Sequence, residues 1–323
     1  MSTILQIVRQ EDVEKAYNRK HIDGYIRESI NCNPDTMAML NKGVDLVNQW
    51  LAGTYYASKN ARLEQIKRLD IKELVYEIFV GIAYVQKPEL FTSVTAQLAG
   101  RLGFDDKRDA IVTVAELVTV ICATDAYDIT KADRMASLMI QSRIPLPEDV
   151  LEFIKQSQYL PPMVCKPLEL HSNYDSGYLS HKDSLILGKG NHHNGNICLD
   201  VLNKVNSVAL KLDVEFLRTV QEDPTTEFTE EWAHEKAAKK GKTLTSAQAK
   251  EKVNEAINNF NHFKGISAKV YMLMHKLGNE FHLTHKVDKR GRIYAQGYHI
   301  NTQGTPYKKA MIELANEEVV TGV

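Results

Sequence analysis

Apolar residues recur at helical spacing through the first half of the chain. Asn33-Pro34-Asp35 supplies a start signal: a capping side chain, a proline at the first helical position and an acid in the first turn. Leu40, Val44, Val47 and Leu51 then follow one face, and Gly53 can end the helix. The spacing predicts a second helix over 71–85, with Leu74, Ile78 and Ile82 on one side. A third runs from Phe91 to the region of Gly100 and Gly103. A fourth follows Asp105-Asp106 and carries Ile111, Val114, Leu117, Val118 and Ile121. Ile144-Pro145-Leu146-Pro147 interrupts the chain before a short helix over 148–156.

Between Tyr159 and Asn196 the periodicity is lost. Pro161, Pro162, Pro167, Gly177, Gly188, Gly190 and Gly195 punctuate a polar stretch, which reads as an irregular connector lying over the surface of the helical part. Helical spacing returns with Leu199, Leu202, Val205, Val208, Ala209 and Leu212, and predicts a helix continuing to about Gln221. Asp223-Pro224-Thr225-Thr226 is a break and a helix start. The residues from there to Lys250 are polar and charged. Ser246 to Gly278 reads as one long amphipathic helix, on which Val253, Ile257, Phe260, Val270, Leu273 and Leu277 recur. From Phe281 the period switches to that of a strand.

Composition adds little to this picture. At 43% hydrophobic and 25% charged, the 323 residues are ordinary for a globular protein of two or three structural units. No apolar run reaches the roughly 18 residues of a membrane span. The N-terminus lacks the basic and apolar regions of a signal peptide. Cys32, Cys122, Cys165 and Cys198 are isolated, as expected of reduced thiols in a cytoplasm.

Charge changes the picture more. The whole chain carries a net −1, yet between Thr284 and Lys309 there are Lys286, Lys289, Arg290, Arg292, Lys308 and Lys309 against Asp288 alone, a local +5. A confined positive site on a near-neutral protein points to a polyanion held at one place. At its centre lies Asp288-Lys289-Arg290-Gly291-Arg292-Ile293-Tyr294. In an extended segment Arg290, Arg292 and Tyr294 would project together. Guanidinium groups bind phosphate in a bidentate fashion, and tyrosine can stack on a base or sugar. Gly291, without a Cβ, would let a phosphate approach the backbone. Asp288 could accept hydrogen bonds from an arginine and hold its fork in place. An exposed basic hairpin making only surface salt bridges is the alternative.

Asp288-x-x-Gly291-Arg292, the aromatic Tyr294, and Gln303-Gly304 followed by lysine resemble the template-contacting motif of the single-subunit, phage-type DNA-dependent RNA polymerases. Three upstream segments resemble the same family in the same order. They are Leu160-Pro161-Pro162-Met163-Val164-Cys165-Lys166-Pro167, Ser176-Gly177-Tyr178-Leu179, and the helix from Leu202-Asn203 to Asp213. The resemblance covers roughly residues 160–323. Departures are Lys289, where an aromatic is frequent, Asn206 and Leu210, where Gln and Trp are usual, and one extra residue between Tyr294 and Gly304. They leave roles for Tyr298 and His299 open.

The resemblance implies a mainly α fold with a helical N-terminal domain (1–158), an irregular connector (159–198), a thumb-like helical region (199–280) and the first part of a mixed α/β palm (281–323). The cluster of Lys236, Lys239, Lys240 and Lys242 against Glu235, a local +3, would lie near the thumb tip or be a solvated loop. Arg290 and Arg292 would bind the template strand or the RNA–DNA hybrid, with Asp288 orienting them. Gly291 would permit close approach and Tyr294 would support the strand. Lys309, rather than its neighbour Lys308, would hold a phosphate. The family's metal-binding aspartates lie C-terminal to this motif, and no segment here resembles them. The expectation is therefore a non-catalytic subunit of a heterodimeric, split polymerase of a bacteriophage, inactive alone and working in the cytoplasm of the infected host; a truncated piece of a longer polymerase is the other explanation. Its partner subunit would supply the catalytic aspartates and bind Mg2+, with DNA template and RNA product as further partners. The alternative is an accessory nucleic-acid-binding module. If the chain is such a subunit, Met311, Ile312, Leu314, Ala315, Val319 and Val320 would continue into the partner's fold; an ordinary terminal helix fits them equally.

Other patterns carry less. His192-His193, with His181 and Cys198, fits no zinc spacing. Gly188-Lys189-Gly190 lacks the remainder of a phosphate loop. Trp50 and Trp232 read as packing residues, and Asp125 and Asp128 as helix-end chemistry.

Overall fold

The computed structural model describes residues 2–102, 106–131, 137–156, 159–180, 182–188, 191–220 and 227–316. In chain order these form α1 (Ile4–Tyr17), α2 (Arg19–Cys32), α3 (Pro34–Leu51), α4 (Ala57–Lys67), α5 (Ile71–Ala83), β1 (Glu89–Leu90), α6 (Phe91–Leu102), α7 (Lys107–Ile121), β2 (Tyr127–Lys131), β3 (Leu138–Ser142) and α8 (Glu148–Gln156). There follow α9 (Leu199–Asn206), β4 (Leu210–Leu212), α10 (Val214–Thr219), α11 (Glu230–Ala238), α12 (Ser246–Lys276), β5 (Glu280–Phe281), β6 (Thr284–Val287), β7 (Ile293–Gln296), α13 (Pro306–Ala310) and β8 (Ile312–Leu314). The fold is mainly α, with three small sheets among the described residues. None of the described helices is long and apolar enough to cross a membrane.

The chain divides into two compact units. One is Arg19–Lys155; the other joins the residues up to Asn18 to those from Gln156 onward. Local signals account for most of the first unit. Asn33 caps α3 by accepting from the Thr36 amide, Asp70 caps α5 and Asp106 caps α7. Each such cap is worth about 1 kcal/mol. Leu40, Val47, Leu74, Ile78, Ile82, Val114, Leu117, Val118 and Ile121 all enter one core, and Trp50 is buried with them. A three-stranded sheet in the order β1-β3-β2 also lies here. Helical spacing does not anticipate it, because its strands have five residues or fewer. Asp125 does end a helical turn, in the left-handed conformation (φ 66°). Asp128 instead lies on β2, paired with Arg143 at 2.5 Å.

The second unit departs further from local expectation. Helix α1 buries two polar side chains beside Val13: Gln10 and Glu14 are fully buried, whereas Ile4, Leu5 and Val8 are exposed. The Glu14 carboxylate accepts from the amides of Leu179 (2.9 Å) and Ser180 (2.8 Å), from the Ser180 hydroxyl and from Gln10 Nε2. Gln10 Oε1 accepts from the Val164 amide at 2.8 Å. These contacts tie α1 to the segment after Tyr159.

That segment is irregular, but it is not a surface cover. Met163, Val164 and Cys165 are buried. Met163 exchanges two backbone hydrogen bonds with His282, at 2.9 and 2.7 Å. Leu170, Leu185 and Ile186 form a core with Leu202 and Val287. The Asn203 amide bonds the backbone of Leu170 in both directions, at 2.8 and 3.0 Å, and so docks the segment on α9.

The helix expected to run to about Gln221 stops at Asn206. Residues 210–212 form β4, the central strand of a sheet ordered β5-β4-β8, with Leu210 opposite both Phe281 and Leu314. Two non-local strand partners thus override the helical spacing, and Asp213 caps a new helix, α10. Ile312 to Leu314 complete this sheet within the chain rather than extending freely; Val319 and Val320 lie outside the described residues. The Asp223–Thr226 break also lies outside them, as do Gly103, Asp105, His181, Lys189 and Gly190. Helix α12, with Thr245 and Gln248 forming a capping box, is 31 residues long. Of its expected apolar face only Val270 is buried, Ile257 is exposed, and Ala249 is buried where α12 packs against α11, whose Ala233 and Ala237 are also buried. Trp232 packs edge-on to Phe228 at 5.1 Å, with Lys236 over its ring.

Candidate functional site

Strands β6 and β7 pair in antiparallel register from Thr284–Gln296 to Val287–Ile293. Their connection follows from the local sequence. The Asp288 amide donates to Arg292 O (2.9 Å) and the Gly291 amide to Asp288 O (2.9 Å). This is a three-residue hairpin loop, in which the last loop residue must take positive φ. Gly291 takes it, at +78°, and nothing lies within 4 Å of where a Cβ would stand. The glycine is therefore required by the turn itself, and the space above it is open. A side chain there would cost about 1–2 kcal/mol in backbone strain.

Asp288 organises the loop. Its Oδ1 accepts from the amides of Arg290 (2.8 Å) and Arg292 (3.1 Å), and its Oδ2 from Arg292 Nε (2.7 Å) and the Tyr294 hydroxyl (3.4 Å). The second nitrogen of the Arg292 fork lies 2.6 Å from Oδ2, and Arg290 Nε lies 3.6 Å from it. Burial raises the Asp288 carboxyl, but the backbone and side-chain hydrogen bonds and the charge of Arg292 outweigh it and hold it below the usual carboxylate range. Arg292 is raised chiefly by its bond to Asp288. The Asp288 side chain is 16% exposed, against 64% for Arg290 and 53% for Arg292. The carboxylate is thus enclosed by its donors, and both cations face solvent.

One geometric expectation is corrected. Arg290 lies in the turn, not on an extended strand, so it does not alternate with Arg292 and Tyr294. Those two share a strand face, the Arg292 guanidinium 5.7 Å from the Tyr294 ring centre. Lys309 is exposed in the last turn of α13. Lys308 is turned inward: its ammonium donates to Tyr298 O at 2.6 Å and lies over the rings of Phe263 and Tyr298.

Sequence reasoning gave no role to Gln303. Its side chain accepts from the Ala295 amide (3.0 Å) and donates to Ile293 O (3.0 Å), completing the free edge of β7 as a strand would. The signal was its place in the Gln-Gly element. Asn206, a departure from the family pattern, pairs with the buried His285 Nδ1 at 2.9 Å behind the hairpin. His192 and His193 engage Ser184 and the Gly195 amide. Among the described residues no group of three or more His, Cys, Asp or Glu is placed to hold a metal ion.

Three histidines around the hairpin are buried. His282 and His285 are lowered by burial, and His299, packed on Phe263 and bonded to Ser267 at 2.8 Å, is lowered to about 4, first by burial and then by the charge of Lys308. A histidine depressed in the folded state stabilises fully above its unfolded pKa of about 6.5, and that stability is lost as pH falls toward the folded value. His299 alone is expected to remove about 2 kcal/mol between pH 7 and pH 5. Urea unfolding at the two pH values checks this. An unchanged midpoint would mean that water reaches the ring.

No protein-family model matches the chain. A protein of Gelasinospora sp. (strain G114), named as a probable DNA-directed RNA polymerase, is 27% identical over 176 residues, which cover 51% of this chain and 18% of that protein. The match thus spans less than a fifth of the curated relative's length. The chain is similar, distantly and in part, to a DNA-directed RNA polymerase.

Proposed function

We propose that this chain is one part of a larger DNA-directed RNA polymerase and that its β6–β7 hairpin grips the backbone of the template strand or the RNA–DNA hybrid. The observation that carries the reading is the Asp288 clamp. One enclosed carboxylate fixes the loop through two backbone amides and the Arg292 fork, while the Arg290 and Arg292 cations stay exposed. Preorganised guanidinium groups bind phosphate without a further ordering cost. The similarity to a polymerase, partial as it is, supports the same reading.

Phosphoryl transfer to a growing strand uses divalent ions held by carboxylates. The catalytic aspartates, with Mg2+, would be supplied by a second polymerase subunit, which makes this chain the non-catalytic member of a heterodimer, in the manner of a split phage enzyme. Helix α12, with the lysines after α11, would serve as the thumb alongside the duplex.

Co-expression with a chain carrying the carboxylate motifs tests this. RNA synthesis is expected from the pair on a primed or single-stranded template, and from neither chain separately. Transcripts made by this chain unaided would overturn the division of labour. Polynucleotide binding with no stimulation of any polymerase would favour an accessory binding module.

A further inference from the structure

The β6–β7 register decides which side chains lie together. Lys286 stands opposite Tyr294, and Thr284 opposite Gln296. Side chains alternate along a strand, so these four share one side of the hairpin with Asp288 and Arg292. His285, Val287, Ile293 and Ala295 take the other side, and of these His285, Val287 and Ala295 are buried. From Asp288 to Thr284 the polar side runs about 14 Å at the usual rise of a strand. One phosphate at the Arg292 fork occupies only one end of it.

At the other end the polar side opens into a cavity of about 410 Å3, lined in part by Tyr159, Tyr178, Asp183, Thr284, Lys286 and Gln296. That volume is within the range of small-molecule sites. Its chemistry is mixed in a particular way. Tyr159 stacks on Tyr298 with ring centres 3.7 Å apart and planes at 10°, yet it is 42% exposed. Tyr298 covers one face of the ring and His299 stands perpendicular to it at 5.9 Å, and the ring still keeps its exposure. The Tyr178 hydroxyl is held protonated, burial raising it to about 12, and the Thr284 hydroxyl lies 3.5 Å from it. The Gln296 amide is anchored by its nitrogen to Tyr294 O at 3.1 Å, which leaves its oxygen an acceptor. Lys286 reaches across to Asp183 at the rim. A flat aromatic platform, an amide acceptor and a cation thus line one opening.

We propose that this cavity receives a single unstacked base of a polynucleotide strand whose backbone runs along the polar side of the hairpin from Arg292 to Lys286. Tyr159 stacks on the base. The Gln296 amide oxygen bonds its polar edge. Lys286 exchanges Asp183 for the phosphate that leads into the cavity. The proposal rests on the reading of the hairpin as a backbone contact and adds that the strand is single-stranded here, since a base within a duplex stack cannot enter. Aromatic stacking tolerates any base, so little sequence preference is expected.

The test is binding of the full chain to short single-stranded DNA and to its RNA counterpart, over a range of salt. In each strand one abasic residue is moved stepwise along the sequence, and 2-aminopurine is placed at the position found sensitive. Wild-type protein is expected to lose about tenfold in affinity when the abasic residue reaches the cavity, and to quench 2-aminopurine at that position. Tyr159→Ala should abolish both effects and Tyr159→Phe restore them. The strand, DNA or RNA, that shows the position dependence identifies the source of the base. Salt-dependent binding that Arg292→Ala weakens, but that is indifferent to every abasic position and to Tyr159→Ala, overturns the cavity and leaves the hairpin reading standing. Absence of salt-dependent binding to either strand overturns both. Unchanged circular dichroism in Tyr159→Ala excludes misfolding as the cause of its effect.

Discussion

Replacing Arg292 with alanine is expected to lower affinity for single-stranded polynucleotide by at least about tenfold, the loss of a charge-assisted bidentate contact. The slope of log affinity against log salt should fall by roughly 0.7 to 0.9, one phosphate contact. The fold should not suffer. Asp288 keeps the backbone amides of residues 290 and 292 as donors, so the loop retains its anchor. The Asp288–Arg292 pair is also largely exposed on its cationic side, and such solvent-screened pairs contribute little to stability. Arg292→Lys keeps the charge but not the fork, and should recover the salt slope more fully than the affinity. In an assembled polymerase Arg292→Ala should cripple RNA synthesis and leave subunit association intact. If a pull-down shows association lost instead, the residue is structural. Unchanged binding with an unchanged slope would leave the hairpin without its proposed role.

The second large effect lies away from the hairpin. Glu14→Leu is expected to destabilise the anchoring of residues 160–180 by about 2–4 kcal/mol. The buried carboxylate serves two backbone amides, a hydroxyl and the Gln10 amide, and leucine leaves each without its acceptor. An orphaned buried donor costs about 1–3 kcal/mol. Glu14→Gln should also be harmful, because its NH2 group presents a donor to donors. Ile4→Ser, at a position 83% exposed on the same helix, should change stability by less than about 0.5 kcal/mol. Hydrogen exchange at the amides of Val164, Leu179 and Ser180 measures this directly. A loss of 2 kcal/mol quickens exchange about thirtyfold where local opening governs it. Equal rates in Glu14→Leu and wild type would show that α1 does not hold this segment.

The contrast between these two sites separates what was legible from what was not. The Asp288 loop is written in five consecutive residues. A glycine demanded by positive φ and an aspartate able to accept from its own neighbours make it nearly self-contained, so its motif could be read without the fold. What the motif does not reveal is that Arg290 leaves the strand, because an alternating pattern assumes that the strand continues. The roles of Gln303, eleven residues after Arg292, and of Lys286 and Tyr159 at the cavity depend on strand register and on a chain segment far away in sequence.

By itself the sequence determined α3, α5, α6, α7, α8 and the long α12, for which capping side chains and helical spacing act within a few residues of one another. It also determined the concentration of charge around Asp288 and the mainly helical character of the chain. Only the tertiary structure decided that α1 buries Gln10 and Glu14, that residues 210–212 become the middle strand of a sheet, and that the irregular stretch after Tyr159 is core rather than cover. In each of these cases the deciding hydrogen bonds come from partners tens to more than a hundred residues away. Buried backbone and carboxyl groups must be satisfied wherever those partners happen to lie, and local periodicity carries no information about them.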